Sequence, residues 1–227
     1  MSSRNSFQPP AASRNGRRGA VVLCGGGSRR MGRDKAGLPF GDETLLQRVV
    51  RIVDGMAETA HTVVIAAAAQ HLPLLPAEVQ IVRDERNDAG PLPAMVMGLN
   101  ALADAVDLAI VVACDCPLVT PVAVRFLFDQ LAAAPSDQMA AVPRVDGRWH
   151  PLVAAYRVAA AVPLEQLAEA GERSLQRALD QMNVVPIDEA ALRQVDPALA
   201  LLANCNTPAD YQAALAAAGL AADEPDR

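Results

Sequence analysis

The chain has 227 residues, 52% of them hydrophobic and 20% charged, which is enough to bury the core of one ordinary to large domain. Its 20 Lys and Arg against 26 Asp and Glu leave a formal net charge of −6, a balance that argues against nucleic acid as a partner. No apolar run reaches the length of a membrane span, because charge or proline breaks each alanine-rich stretch.

Residues 1–18 are rich in Ser, Asn, Pro and Arg, with no acid and no apolar core of the kind a secretory signal needs. They are expected to form a disordered arm that docks on nothing, with a transit peptide as the competing reading. Residues 19–219 then form one domain, and 220–227 are a frayed tail. The apolar run 20–24 reads as a buried strand that delivers Gly25, Gly26 and Gly27 to its carboxyl end. Glycines there let backbone N–H groups approach an anion, and Arg30 and Lys35 bring cations to the same connection, so this loop suits polyphosphate. It is not a P-loop: the spacing G-x-x-x-x-G-K-[ST] is missing, and Ala36 rather than a hydroxyl follows Lys35.

Further along, a helix is expected over 44–55, then strands over 62–66 and 79–82. The Gly90-Pro91 turn opens a helix over 92–103, whose N-terminus would favour an anion or meet a base. The strand 108–114 ends at Asp115, before Pro117. A strand-end carboxylate can hold Mg2+ that also binds phosphate, or it can cap the helix expected over 121–133. A strand over 139–142, a helix over 174–181, a strand over 184–187 and a helix over 208–218 complete the series. Apolar runs alternating with amphipathic segments predict an α/β fold, a single mostly parallel sheet with helices on both faces, and ligands outside the carboxyl ends of its strands. Cys24, Cys114, Cys116 and Cys205 lack metal or disulfide spacing and read as small buried hydrophobes of a reducing cytoplasm.

The run Leu23-Cys24-Gly25-Gly26-Gly27-Ser28-Arg29-Arg30-Met31-Gly32-Arg33-Asp34-Lys35 resembles the signature loop of the molybdenum cofactor guanylyltransferases, which are Rossmann-like nucleotidyltransferases of the nucleotide-diphospho-sugar-transferase type. The resemblance implies nucleotide contact at Leu23, Cys24, Gly25 and Gly26, and triphosphate contact at Arg30 and Lys35. It places the magnesium aspartate at Asp115 and the guanine and ribose contacts at Asp84 and Gly90. Two departures stand out. Pro93-Ala94 follows the Gly-Pro-Leu element where the family has Ala-Gly, and the strand end at 66–69 is apolar where the family carries a base-contacting asparagine.

In the second half, the segment from Asp146 to Pro151 resembles the family's D-G-x-x-x-H-P, Gly171-Glu172-Arg173 its A-G-E-R turn, and Asn204 to Pro208 its N-x-N-T-P. These imply a pterin-binding surface around Arg148, His150, Arg173, Asn204 and Asn206. Asn206 completes a magnesium shell or holds a substrate phosphate, unless it caps the last helix. His150 contacts substrate or merely makes loop hydrogen bonds, and Trp149 stacks on a heterocycle or packs. The implied activity transfers GMP from GTP to the phosphate of molybdopterin or molybdenum cofactor, releasing pyrophosphate. Mg2+ is the implied cofactor, and a cofactor-delivering protein or target molybdoenzyme the implied protein partner. The alternatives are a cytidylyl- or sugar-nucleotidyltransferase of the same fold and a non-catalytic nucleotide-binding regulator.

Overall fold

The computed structural model describes residues 16–24, 34–56, 61–86 and 90–220. In chain order they form β1 (Arg18–Leu23), a 3-10 turn (Lys35–Gly37), β2 (Pro39–Phe40), β3 (Glu43–Thr44), α1 (Leu45–Asp54), β4 (Thr62–Ala67), β5 (Gln80–Asp84), α2 (Pro91–Ala101) and β6 (Leu108–Ala113). There follow α3 (Pro121–Ala133), β7 (Ala140–Val145), β8 (Arg148–Trp149), β9 (Val153–Arg157), α4 (Ala161–Glu169), α5 (Leu175–Asp180), β10 (Val184–Ile187), α6 (Glu189–Arg193) and α7 (Pro208–Ala217).

The main sheet runs β10-β7-β9-β6-β1-β4-β5, with β8 paired to β7. β1 pairs in parallel with β4 and β6, as do β4 with β5 and β10 with β7. Successive side chains of a strand point to opposite faces, so a central strand covered on both faces must be apolar throughout. Ala20 and Val22 of β1 accordingly join Val64, Ile110 and Val112 beneath α1 and α3. Val21 and Leu23 join Val63, Ile65 and Val111 beneath α2. The mostly parallel sheet with helices on both faces is thus as expected. α2 lies close to β1 because it presents Gly98, where a Cβ would fall 2.3 Å from Val21 Cγ1.

Every expected strand and helix is present, but the sequence reading omitted β2, β3, β8, β9, α4 and α6. β9 runs antiparallel between β6 and β7. Asp146 (φ 50°) and Gly147 (φ 73°) form a tight left-handed turn that folds β8 back onto β7, and the chain continues in the same direction into β9, which also lies antiparallel to β7. α4 holds Pro163 in its first turn, where a missing N–H leaves no intrahelical bond unmade. Both termini of the domain also shift. Arg18, assigned above to a non-docking arm, is a β1 residue whose buried guanidinium donates to Asp129 (3.0 Å) and stacks over Phe128. Leu220, assigned to the tail, packs against the Phe40–Leu215 cluster. The rest of the proposed arm (1–15) and tail (221–227) lies outside the described residues.

Candidate active site

The sheet's carboxyl edge gathers the segments that carry the chemistry. Beyond β6, the Cys114 N–H donates to Leu23 O and the Cys116 N–H to Ala113 O, a turn that lifts Asp115 above the sheet. The Cys205 N–H donates to Asp115 O (2.9 Å), tying the segment before α7 to this turn. The Ala113 N–H donates to Leu152 O, which brings the His150–Leu152 connection to the same edge. Lys35 arrives on the 3-10 turn, which Asp34 caps by accepting from the Ala36 N–H.

Three of the expected residues converge. Lys35 Nζ donates to Asp115 Oδ2 at 2.8 Å and to Asn206 Oδ1 at 2.6 Å. Both charged side chains are mostly enclosed, 16% and 17% exposed, so the pair is screened less than a surface ion pair. The structure also removes the capping roles weighed above. Thr120 caps α3 by accepting from the Ala123 N–H, and Thr207 forms a capping box with Asp210 at the start of α7. Asp115 and Asn206 are therefore not spent on helix ends.

One carboxylate and one neutral amide oxygen thus face a single point that already holds a cationic nitrogen. Mg2+ takes hard oxygen donors, few of them from protein, and fills its shell with water and phosphate oxygens, so this donor set fits it. Among the described residues no group of three His, Cys, Asp or Glu could hold a metal.

On the nucleotide side, Gly25, Gly26 and Arg30 lie outside the described residues. The Leu23 carbonyl and the Cys24 N–H are engaged with Cys114 and Ile65, and the Cys24 carbonyl is taken by a side chain. That carbonyl accepts from Gln70 Nε2 (3.1 Å), which also donates to Asp34 Oδ1 (2.9 Å). Gln70 Oε1 accepts from the Ala67 N–H, and Arg83 holds the Gln70 and Ala67 carbonyls. Sequence reading missed this pair, because a glutamine in a polar connection carries no local signal. Asp84, at the end of β5, accepts from the Arg86 N–H and Nε, and Arg86 reaches on to Pro93 O in the first turn of α2. Gly90 caps that helix at φ 80° with no side-chain bond, and a Cβ there would sit 3.7 Å from Arg173 O. The turn carrying Arg173 therefore lies against the mouth of α2.

The second-substrate residues share the edge without joining the Lys35 cluster. Arg173 and Arg148 are exposed. Asn204 is exposed, its carbonyl accepting from the Asn206 N–H. His150 is half-buried; burial, and then the charge of Arg148, lowers its pKa from the usual value. Trp149 is a packing residue: its ring is buried, carries the Arg144 guanidinium, and donates Nε1–H to Asp180. All four cysteines are free and buried. A hydrogen bond with Cys24 and burial raise the Cys114 thiol well above its ordinary value, burial and then Asp115 raise Cys116, and burial pushes Cys205 up to about 12. Protonated thiols are poor nucleophiles, so covalent catalysis by cysteine has no basis at this edge.

A family profile described as "MobA-like NTP transferase domain" matches residues 20–184. The chain belongs to this family. A relative in Mycobacterium tuberculosis, called "Probable molybdenum cofactor guanylyltransferase", is 42% identical over 187 residues, 80% of this chain and 90% of its own. One of the same name in Mycobacterium ulcerans is 40% identical over 85% of this chain and 90% of its own. Among solved structures, molybdopterin-guanine dinucleotide biosynthesis protein A from Archaeoglobus fulgidus superposes with a TM-score of 0.69 at 25% identity, covering 88% of this chain and 98% of that one. The 2-C-methyl-D-erythritol 4-phosphate cytidylyltransferase of Thermus thermophilus shares the fold at a TM-score of 0.63 and 18% identity, over 88% and 98% of the two chains. The MobA-like match spans both the Lys35–Asp115 pair and β9.

Proposed function

We propose that this protein is a molybdenum cofactor guanylyltransferase, joining GMP from GTP to the terminal phosphate of molybdopterin, with or without molybdenum, and releasing pyrophosphate. The observation that carries the reading is the convergence of Lys35, Asp115 and Asn206 at the sheet's carboxyl edge, in a chain of this family. A pterin phosphate oxygen forms the new bond to the α-phosphorus of GTP as the bond to the pyrophosphate oxygen breaks in line with it. No protein nucleophile is required. The work of the chain is to bring two polyanions together and neutralise the charge that grows on the leaving pyrophosphate.

Lys35, and Arg30 from the glycine loop, supply that positive charge. Asp115 and Asn206 are the residues that would hold Mg2+, which when bound screens the phosphates and polarises the reacting phosphoryl group. The N-terminus of α2, with Gly90 open at its cap and Asp84 beside it, is the place for guanine and ribose. Arg148, Arg173, His150 and Asn204 line the side left for the pterin. The substrates are then GTP and the pterin, a protein that hands over or receives the pterin is the fitting partner, and the cytoplasm is the fitting compartment.

The test is pyrophosphate release with molybdopterin and Mg2+ across GTP, CTP and ATP. Release with GTP alone is the expected result. A preference for CTP would move the protein to the cytidylyltransferases, and binding without release would make it a nucleotide-binding regulator.

A further inference from the structure

Gln70 uses both amide donors and its amide oxygen between segments far apart in sequence. Its Nε2 donates to the Cys24 carbonyl and to Asp34 Oδ1, and its Oε1 accepts from the Ala67 N–H. Cys24 and Asp34 bracket residues 25–33, the stretch with the glycines and Arg30. The same Asp34 oxygen accepts from the Ala36 N–H, and so shapes the turn on which Lys35 stands. Behind Gln70, Arg83 holds its carbonyl at 2.7 Å and that of Ala67 at 3.1 Å. A chain of bonds therefore runs from β5 through Arg83, Gln70 and Asp34 to the residue that meets Asp115.

We propose that Gln70 is a positioning residue for the nucleotide, fixing the distance between the end of β1 and the turn that carries Lys35. The inference rests on the nucleotidyltransferase reading above. Only a primary amide suits the position. It must donate twice, to a carbonyl and a carboxylate, and accept once from an amide. Leucine fills a similar volume but makes none of these bonds. Glutamate keeps the acceptor, but sets a second carboxylate against Asp34 and leaves the Cys24 carbonyl without its donor. A charge in that arrangement costs more than the loss of a neutral bond.

The experiment compares full-length Q70L, Q70E and the double variant Q70E/D34N with the unaltered chain and with K35A. Calorimetry measures binding of a non-hydrolysable GTP analogue with Mg2+, and initial rates give KM for GTP and for the pterin. Q70L should weaken analogue binding about tenfold and Q70E more than that, with GTP KM rising in step while pterin KM stays unchanged. In Q70E/D34N an amide faces the new carboxylate again, and part of the Q70E loss should return. Wild-type analogue affinity in both Q70L and Q70E, beside a weakened K35A, overturns the role of Gln70 alone, as does an equal rise of both KM values. Wild-type affinity in K35A as well overturns the nucleotide site itself.

Discussion

Lys35 Nζ lies 2.8 Å from Asp115 Oδ2, joining residues 80 positions apart across the carboxyl edge of the sheet. The contact links the two ends of the proposed chemistry, a cation from the loop region after β1 and a carboxylate lifted above β6. Because Asn206 Oδ1 shares the same ammonium, the C-terminal segment before α7 completes the cluster.

Asp115→Asn keeps the shape of the side chain and removes its charge. Thr120 already caps α3, so the fold should persist, with an unchanged circular dichroism spectrum. A neutral amide holds Mg2+ poorly, and turnover should fall on the order of 10²-fold or more. Near-normal turnover at limiting Mg2+ would show that Asp115 has no part in metal binding.

Lys35→Ala separates affinity for phosphates from affinity for metal. It should weaken GTP much more than GMP, by a difference approaching a few kcal/mol, because the partners assigned to Lys35 are the outer phosphates. It should also make Mn2+ alone bind more readily, since no ammonium then competes for Asp115 and Asn206. Isothermal titration with GTP and GMP, and paramagnetic titration with Mn2+, measure the two effects. Equal losses for GTP and GMP would place Lys35 away from the triphosphate.

The parallel core was legible because β1, β4 and β6 are covered on both faces, and such strands cannot avoid continuous apolar runs. Asp115 was legible for the same reason, as a carboxylate ending such a run. β9 was not, although the Asp146-Gly147 pair that reverses the chain is a strong hairpin signal; its run Val153-Ala154-Ala155-Tyr156 does not announce direction, which is settled by pairing with β6 and β7. Gln70 was illegible in a stronger sense. Its role exists only because β1, β4 and the Asp34 turn meet in three dimensions, and no spacing encodes that.

Gly98→Ala tests the close approach of α2 to β1. In an isolated helix alanine would be the better residue, but here its Cβ would stand 2.3 Å from Val21 Cγ1 in a packed core. The variant should lose roughly 1–3 kcal/mol of stability in denaturant unfolding. Val21→Ala in the same chain removes the opposing methyls, and the double variant should be more stable than the sum of the two single losses. Strict additivity would mean that the helix simply moves out.

His150 makes acid stability a measurable property of this edge. Burial and then Arg148 lower its folded pKa below 6.5, so above pH 6.5 folded and unfolded chains both carry it neutral and its contribution is fully present. As pH falls below 6.5 the unfolded chain takes up the proton first, stability is lost, and the loss levels off below the folded pKa. His150→Asn should flatten that part of the stability profile, and the imidazole NMR titration of the unaltered chain should have its midpoint below 6.5. A midpoint above 6.5 would mean that His150 is a cation facing an anion.

The second substrate brings another polyanion to an edge already assigned to GTP, so its cations should be side chains that the fold leaves uncommitted. Glu172 holds the turn before α5: it accepts from the Arg173 and Ser174 N–H groups and from Arg177, bonds that lower its pKa to about 2 and keep it ionised. Arg177 is thereby engaged, whereas the Arg173 side chain is exposed and its carbonyl lies against Gly90 at the mouth of α2. The main chain of this turn thus borders the nucleotide side while its exposed guanidinium is available to the neighbouring ligand. Arg173→Ala should leave the backbone and GTP affinity nearly unaltered and raise the pterin KM about tenfold or more, the loss of one charge-assisted contact. Arg148→Ala should act in the same direction. If either variant loses GTP binding instead, the two substrates do not divide the edge in this way, and unaltered transfer in both would take the second half of the chain out of the pterin site.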